Sequence, residues 1–191
     1  MLIYRNIIKS RMSEKRFTHC VNVSERAVEL ALQYGANTNK ARIAGALHDI
    51  TKENSYGYHM NIIKKYRLPI NKNDIISKGV LHSITGSVYA EKILRIRDRD
   101  ILNSIRFHTT GRAGMSPLEK VVFVADFTSK ERDYAGVNKI RKFAETDLDL
   151  AALGCLLFTI NNLLEIKMPI HPNTIFAYND ILVKKRQDVN F

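Results

Sequence analysis

Five sites in this sequence place a histidine or an acid inside an apolar stretch. His48 and Asp49 are adjacent in Ala46-Leu47-His48-Asp49-Ile50. His19 stands in Phe17-Thr18-His19-Cys20, His82 in Val80-Leu81-His82-Ser83, His108 in Arg106-Phe107-His108-Thr109, and Asp126 in Val124-Ala125-Asp126-Phe127. Burying an imidazole or a carboxylate without a partner costs several kcal/mol. Taken singly, each has a bland explanation as a satisfied core residue. Taken together, five such sites would each need their own buried partner, whereas one shared cation satisfies several at once. Adjacent residues on a helix point about 100° apart. His48 and Asp49 can therefore share an ion only where their helix edge meets others that donate more ligands, and His19, His108 and Asp126 are the candidates.

Nitrogen and oxygen donors without thiolate suit divalent iron, manganese or zinc in a reactive site better than a structural zinc site. Such a cation acidifies water and neutralises charge on a transferring phosphoryl group. Asp49 or Asp126 could orient or deprotonate that water, and Arg16, Lys52 and Arg132 could hold the non-bridging oxygens. For each of these three cations the plain alternative is a solvated surface charge; Lys52 would in any case be favourable near a helix C-terminus. His82 and His108 read two ways, as neutral ligands of a second ion or as cations facing phosphate. His59 and His171 lie in loop-like surroundings, and His59 is given no role.

The elements that must carry these residues are helices. Phe17, Val21, Val28 and Leu32 recur with helical period between Ser13 and Tyr34, and Gly35 suits the turn that follows. Asn37 to Asn39 can cap a second helix bearing Ile43, Ala46, Leu47 and Ile50. A third helix is predicted over about residues 75–96 and a fourth over about 100–110. Ser116-Pro117-Leu118-Glu119 offers a cap hydroxyl, a proline at the first position and a glutamate able to reach back to the cap. Thr146-Asp147-Leu148-Asp149 opens an apolar helix through Leu164, with acids at its positive end. No stretch alternates apolar and polar residues for long, and Val121 to Val124 reads as helix because of its cap. The least regular segment, residues 54–74, is a candidate lid or insertion. The expected class is all-α, a helical bundle in a single domain over 1–191, with a core over about 13–166 and a C-terminal segment, 167–191, closing the site.

The 191 residues are 45% hydrophobic and 26% charged, the profile of an ordinary globular chain. Two cysteines outside any CxxC pair, Cys20 and Cys155, argue against a disulfide framework. Residues 1–12 show no secretory pattern, and the longest uncharged run, Leu150 to Leu164, contains Asn161 and Asn162 and reads as too short and polar for a membrane span. A cytoplasmic location without membrane contact is expected. The net charge of +11 favours anionic partners. The basic residues are dispersed, however, and their densest runs (Lys184 to Arg186, Arg95 to Arg99) lack aromatic interleaving, so nucleic acid is not an expected partner. An exposed apolar helix near Leu150 to Leu164 would permit a homodimer.

The H…HD…D order of His19, His48-Asp49 and Asp126 resembles the HD superfamily of metal-dependent phosphohydrolases. Beyond that pattern the chain resembles the YqeK family, bacterial hydrolases that split diadenosine tetraphosphate symmetrically into two ADP. The matching motifs are Arg16-Phe17-Thr18-His19, Ala46 to Lys52, Leu81 to Gly86, Ile105 to Gly111, Met115 through Glu119-Lys120-Val121 to Asp126, and Glu131-Arg132-Asp133, with a late segment from His171 to Asn179. The resemblance implies iron held by His19, His48, Asp49 and Asp126. It implies nucleotide contacts from Arg16, His82, His108, Thr109, Arg132, His171, Pro172, Asn173 and Thr174. One departure stands out: Ser129-Lys130 occupies the place of a Glu-Pro pair. Two other readings remain, an HD-type nucleotidase or phosphodiesterase acting on another nucleotide, and a nucleotide- or RNA-binding module without catalysis.

Overall fold

The computed structural model describes residues 2–188, and among them the chain forms eleven α-helices and no strand. They are α1 (Leu2–Lys9), α2 (Glu14–Gln33), α3 (Thr38–Leu47), α4 (Tyr56–Lys65), α5 (Lys72–Ile76), α6 (Leu81–Lys92), α7 (Arg99–Phe107), α8 (Pro117–Thr128), α9 (Val137–Ala144), α10 (Leu148–Glu165) and α11 (Pro172–Asp188). A single 3-10 turn, Lys78–Val80, leads into α6. Of the proposed closing segment, residues 189–191 lie outside the described residues.

Helix α8 is the axis of the core. Val121, Val122, Val124 and Ala125 are fully buried and Phe123 is 1% exposed, with α2, α3, α7, α9 and α10 packed around them. Each such Val or Phe contributes about 1.5–3 kcal/mol by leaving water. The helix starts where expected, since Ser116 Oγ accepts the Glu119 N–H at 3.1 Å. The reciprocal half of the capping box is not made: the Glu119 carboxylate takes both nitrogens of a bidentate Arg112 fork at 2.7 Å, and Ser116 Oγ donates to Asp100 instead.

The caps of α3 and α10 also form as the sequence indicates, with Asn37 and Asp147 each accepting a first-turn N–H, and Ser13 caps α2 in the same way. Several boundaries and faces differ. The buried face of α2 runs through Phe17, Cys20, Val23, Ala27, Leu30 and Ala31, whereas Leu32 is 71% exposed. Because several helices press on α2, the small residues go inside. The predicted third helix is broken: α5 and the 3-10 turn precede α6, and α6 ends at Lys92. The fourth ends at Phe107, so His108 caps it. Residues 54–74 are not irregular; Ser55 caps α4 and Asn71 forms a complete capping box with Asp74 on α5. By length and composition alone α10 could cross a membrane. Its first half nevertheless buries Leu148, Ala151, Ala152, Leu153, Cys155 and Leu156 in the core.

Gly45 sets the spacing that matters most for the site. A Cβ added there would lie 2.9 Å from Ser24 Cα and 3.1 Å from Val23 O. Only glycine lets α3 approach the backbone of α2 this closely, and that approach faces His48 toward His19.

Candidate metal centre

His19 stands in the middle of α2, His48 caps α3, Asp49 follows it, and Asp126 lies in the last turn of α8. These three elements bring the four side chains to one point. His19 Nε2 lies 3.2 Å from His48 Nε2 and 3.1 Å from Asp126 Oδ1. Asp49 Oδ2 lies 3.8 Å from His19 Nε2 and 3.5 Å from His48 Nε2. His48 is fully buried, and His19 and Asp49 are nearly so.

Hydrogen bonds on the far side of each ring decide what these nitrogens can do. The Nδ1–H of His48 donates to Gly45 O, and that of His108 to Ile105 O, each at 2.7 Å. A carbonyl only accepts, so Nδ1 carries the proton and the Nε2 of the neutral ring keeps its lone pair. His19 Nδ1 meets the Glu131 carboxylate in the same way at 2.5 Å. Lone pairs of His19 and His48 therefore converge with the oxygens of Asp49 and Asp126. Only a cation turns that convergence into attraction, and the donor set fits a divalent metal.

Asp49 has a second side. Its Oδ1 is buried without a hydrogen bond, with His82 Nε2 at 3.0 Å and His108 Nε2 at 3.4 Å. His82 Nε2 and His108 Nε2 are 3.0 Å apart, and Thr109 Oγ1 is 3.2 Å from the latter. The stem of Lys52 is exposed, but its ammonium turns in to 3.2 Å from His82 Nε2. Among the described residues, two groups have metal-ligand spacing: His19, His48, Asp126 and His48, Asp49, His108.

Electrostatics follow from this packing. Burial works to raise the Asp126 carboxyl, but the contact with His19 and the charge of Arg132 outweigh it and hold it below the usual range. Asp49 is likewise held well below the usual range despite its burial. Burial pushes the His82 imidazole down to about 3 and pushes the Lys52 ammonium down as well. His82 is thus neutral near neutral pH and meets phosphate or metal as a nitrogen donor or acceptor, not as a counter-charge. Burial raises the thiol of Cys20, beside His19, so it stays protonated.

The remaining sequence-derived residues fall into two places. Arg16 Nη1 donates to Asp49 Oδ2 at 2.7 Å. Arg132 grips Asp126 through its side-chain carboxylate and, at 2.8 Å, its backbone carbonyl. Both arginines thus hold the carboxylates of the centre. His171, Pro172, Asn173 and Thr174 form not a loop but the entry and first turn of α11. His171 is engaged at both nitrogens: Nδ1 accepts the Asn173 N–H, and Nε2 faces Asp74 Oδ1 at 3.1 Å. Together with Thr109, His171 and Thr174 line a cleft of about 390 Å³ whose other walls include Val80, Leu163 and Met168. His59, given no role, bonds Thr85 inside the core. Sequence reasoning passed over Gly45, Asp74 and the contact of Glu131 with His19. The Asn71–Asp74 capping box is a local pattern, but what Gly45, Asp74 and Glu131 do for the site depends on elements distant in the chain.

The HD domain family model matches residues 16–131. The symmetrical bis(5'-nucleosyl)-tetraphosphatase of Halalkalibacterium halodurans is 37% identical over 182 residues, covering 94% of this chain and 96% of that protein. The chain belongs to the HD domain family, among its symmetrical bis(5'-nucleosyl)-tetraphosphatases. The Bacillus subtilis protein of the same name is 36% identical, with 90% of this chain and 92% of that one covered. The crystal structure of an HD superfamily hydrolase from Clostridium acetobutylicum superposes with a TM-score of 0.92 at 36% identity, covering 95% and 96% of the two chains. This family relation bears out the all-α HD bundle and leaves the ligand set to be argued from the geometry above.

Proposed function

We propose that this chain hydrolyses diadenosine tetraphosphate and related dinucleoside polyphosphates to two nucleoside diphosphates. The observation that carries this reading is the convergence of His19, His48, Asp49 and Asp126 in a chain that matches symmetrical tetraphosphatases over nearly its whole length. Those four residues would hold the metal, with iron the preferred ion and manganese or zinc acceptable to the same donors. A divalent cation held there supplies Lewis acidity and makes water a stronger acid.

The chain's own groups do the rest. Asp49 and Asp126, kept ionised, orient water and accept its proton. Lys52 and the outward nitrogens of Arg16 and Arg132 face the phosphate chain, His82 and Thr109 hydrogen-bond its oxygens, and His108, whose Nε2 carries a lone pair, lines the same pocket. The apolar cleft beside Thr109 has the size expected of a small-molecule site and takes a nucleobase, with His171 to Thr174 as its C-terminal wall. In this reading residues 167–191 close the nucleotide site of a single domain. The buried unpaired cysteines accord with a reducing cytoplasm. The partner is a nucleotide rather than nucleic acid, and the exposed Leu157, Leu164 and Ile166 of the α10 end are the face a homodimer would use.

One specific observation supports a second ion. Asp49 Oδ1 has the Nε2 atoms of His82 and His108 beside it and no hydrogen bond of its own, so a bridging Asp49 would serve two cations.

Incubating the purified protein with diadenosine tetraphosphate and manganese or ferrous iron should yield ADP alone. ATP plus AMP would reject symmetric cleavage. No product with any divalent ion would reject the activity, and preferred turnover of a mononucleotide or cyclic nucleotide would favour the nucleotidase or phosphodiesterase reading. A protein that binds nucleotide but no metal would be a binding module.

A further inference from the structure

The three histidines whose Nδ1 contacts fix their tautomers are not held alike. His48 and His108 each donate to a carbonyl three residues back in their own helix, a partner that no side-chain change removes. His19 is in mid-helix and its Nδ1 looks outward, onto the loop after α8, where Glu131 Oε1 lies 2.5 Å away. Ser129 Oγ donates to the same oxygen at 2.7 Å. Asn22, buried one turn beyond His19 on α2, donates to Glu131 Oε2 at 2.7 Å.

We propose that Glu131 is a positioning residue for the metal centre: it fixes His19 in the Nδ1–H form and aims the Nε2 lone pair at Asp126 and His48. The inference rests on the ligand set proposed above. A carboxylate only accepts, so it imposes this tautomer, and it increases the basicity of the ring. Its own position is fixed from both sides, by a residue of its loop and by a residue of the helix that carries the ligand.

Glu131 is one-third exposed, so removing it should leave the core intact. The test compares metal-stripped wild type, Glu131→Ala, Glu131→Gln and His19→Ala by titration with manganese against a competing chelator. Glu131→Ala should bind manganese about 10–100-fold more weakly, the usual cost of losing such a support. Glu131→Gln, whose amide oxygen still accepts the Nδ1 proton, should lose less, and His19→Ala should lose more than either. At saturating manganese the substrate KM of Glu131→Ala should stay within about twofold of wild type. Wild-type manganese affinity in both Glu131 variants, with affinity lost in His19→Ala, would overturn the positioning role alone. Wild-type affinity in His19→Ala as well would overturn the ligand set and the positioning role with it.

Discussion

At one end of the site, three elements hold imidazole and carboxylate tips 3–4 Å apart, each tip braced from behind by a carbonyl, an arginine or Glu131. At the other end, beyond Thr109, the walls include Val80, Leu163 and Met168, and His171 is tied to the buried Asp74 of α5 at 3.1 Å. The two ends tolerate change differently. Burying several like lone pairs is favourable only with a cation among them, so every ligand at the metal end depends on every other. An apolar wall depends on volume, and one side chain can stand in for another. The first end should therefore fail all at once and the second by degrees.

The largest effect expected is from His48→Ala or Asp49→Ala. Either should abolish metal binding and lower turnover by about a thousandfold or more, read by metal analysis of the purified protein alongside ADP release. Substantial activity in either would mean that the metal end is less interdependent than described.

Gly45→Ala sharpens the comparison, because it changes no ligand side chain and leaves the carbonyl that His48 uses in place. Its Cβ would meet the Ser24 backbone at 2.9 Å, forcing α3 away from α2. A destabilisation of about 1–3 kcal/mol is expected, together with weaker manganese binding. A melting temperature and affinity both equal to wild type would show that helix spacing does not govern the site.

His171→Ala and Asp74→Ala probe the cleft end. Each breaks the tie between α5 and the start of α11, so KM should rise by about 3–10-fold, the equivalent of one ordinary hydrogen bond lost, while metal content stays unchanged. Loss of metal in either variant would erase the distinction between the two ends.

The smallest effect concerns the anchoring of α11 by Lys185 to Asp147, which also caps α10. Burial works to raise the Asp147 carboxyl, but Lys185 and the Leu150 N–H outweigh it, leaving it below its ordinary value. A carboxyl depressed in the folded state stabilises above its unfolded pKa of about 3.9 and ceases to do so as pH falls through the folded value. Asp147→Asn should therefore melt slightly below wild type at pH 7, and the gap should narrow as pH falls below about 3.9 and close once the folded carboxyl is protonated. A gap that persists at acid pH would assign the effect to the cap alone.

The same contrast describes what could be read from sequence. Caps such as Ser116, Asn37 and Asp147 were legible because they bond within three residues. The converging residues proposed as ligands were legible because a histidine or aspartate inside an apolar helix is anomalous wherever it occurs. The α2 stripe was misread because Leu32 carries the helical period yet faces water, while Ala27, Ala31 and Cys20 are buried by helices distant in the chain. Residues 54–74 looked irregular for their Asn and Lys content, although Ser55 and Asn71 carry the cap chemistry that the structure uses. The roles of Glu131 and Gly45 were not legible, because an acid on a loop and a glycine in a helix acquire meaning only from what lies opposite.

The central claim is that four side chains from distant parts of the chain enclose one cation. Crystals soaked in manganese and measured for anomalous scattering test it directly. The account predicts a peak within about 2.3 Å of His19 Nε2, His48 Nε2, an Asp49 oxygen and an Asp126 oxygen. Manganese ordered elsewhere, with those four side chains still hydrogen-bonded only among themselves and their arginines, would contradict it.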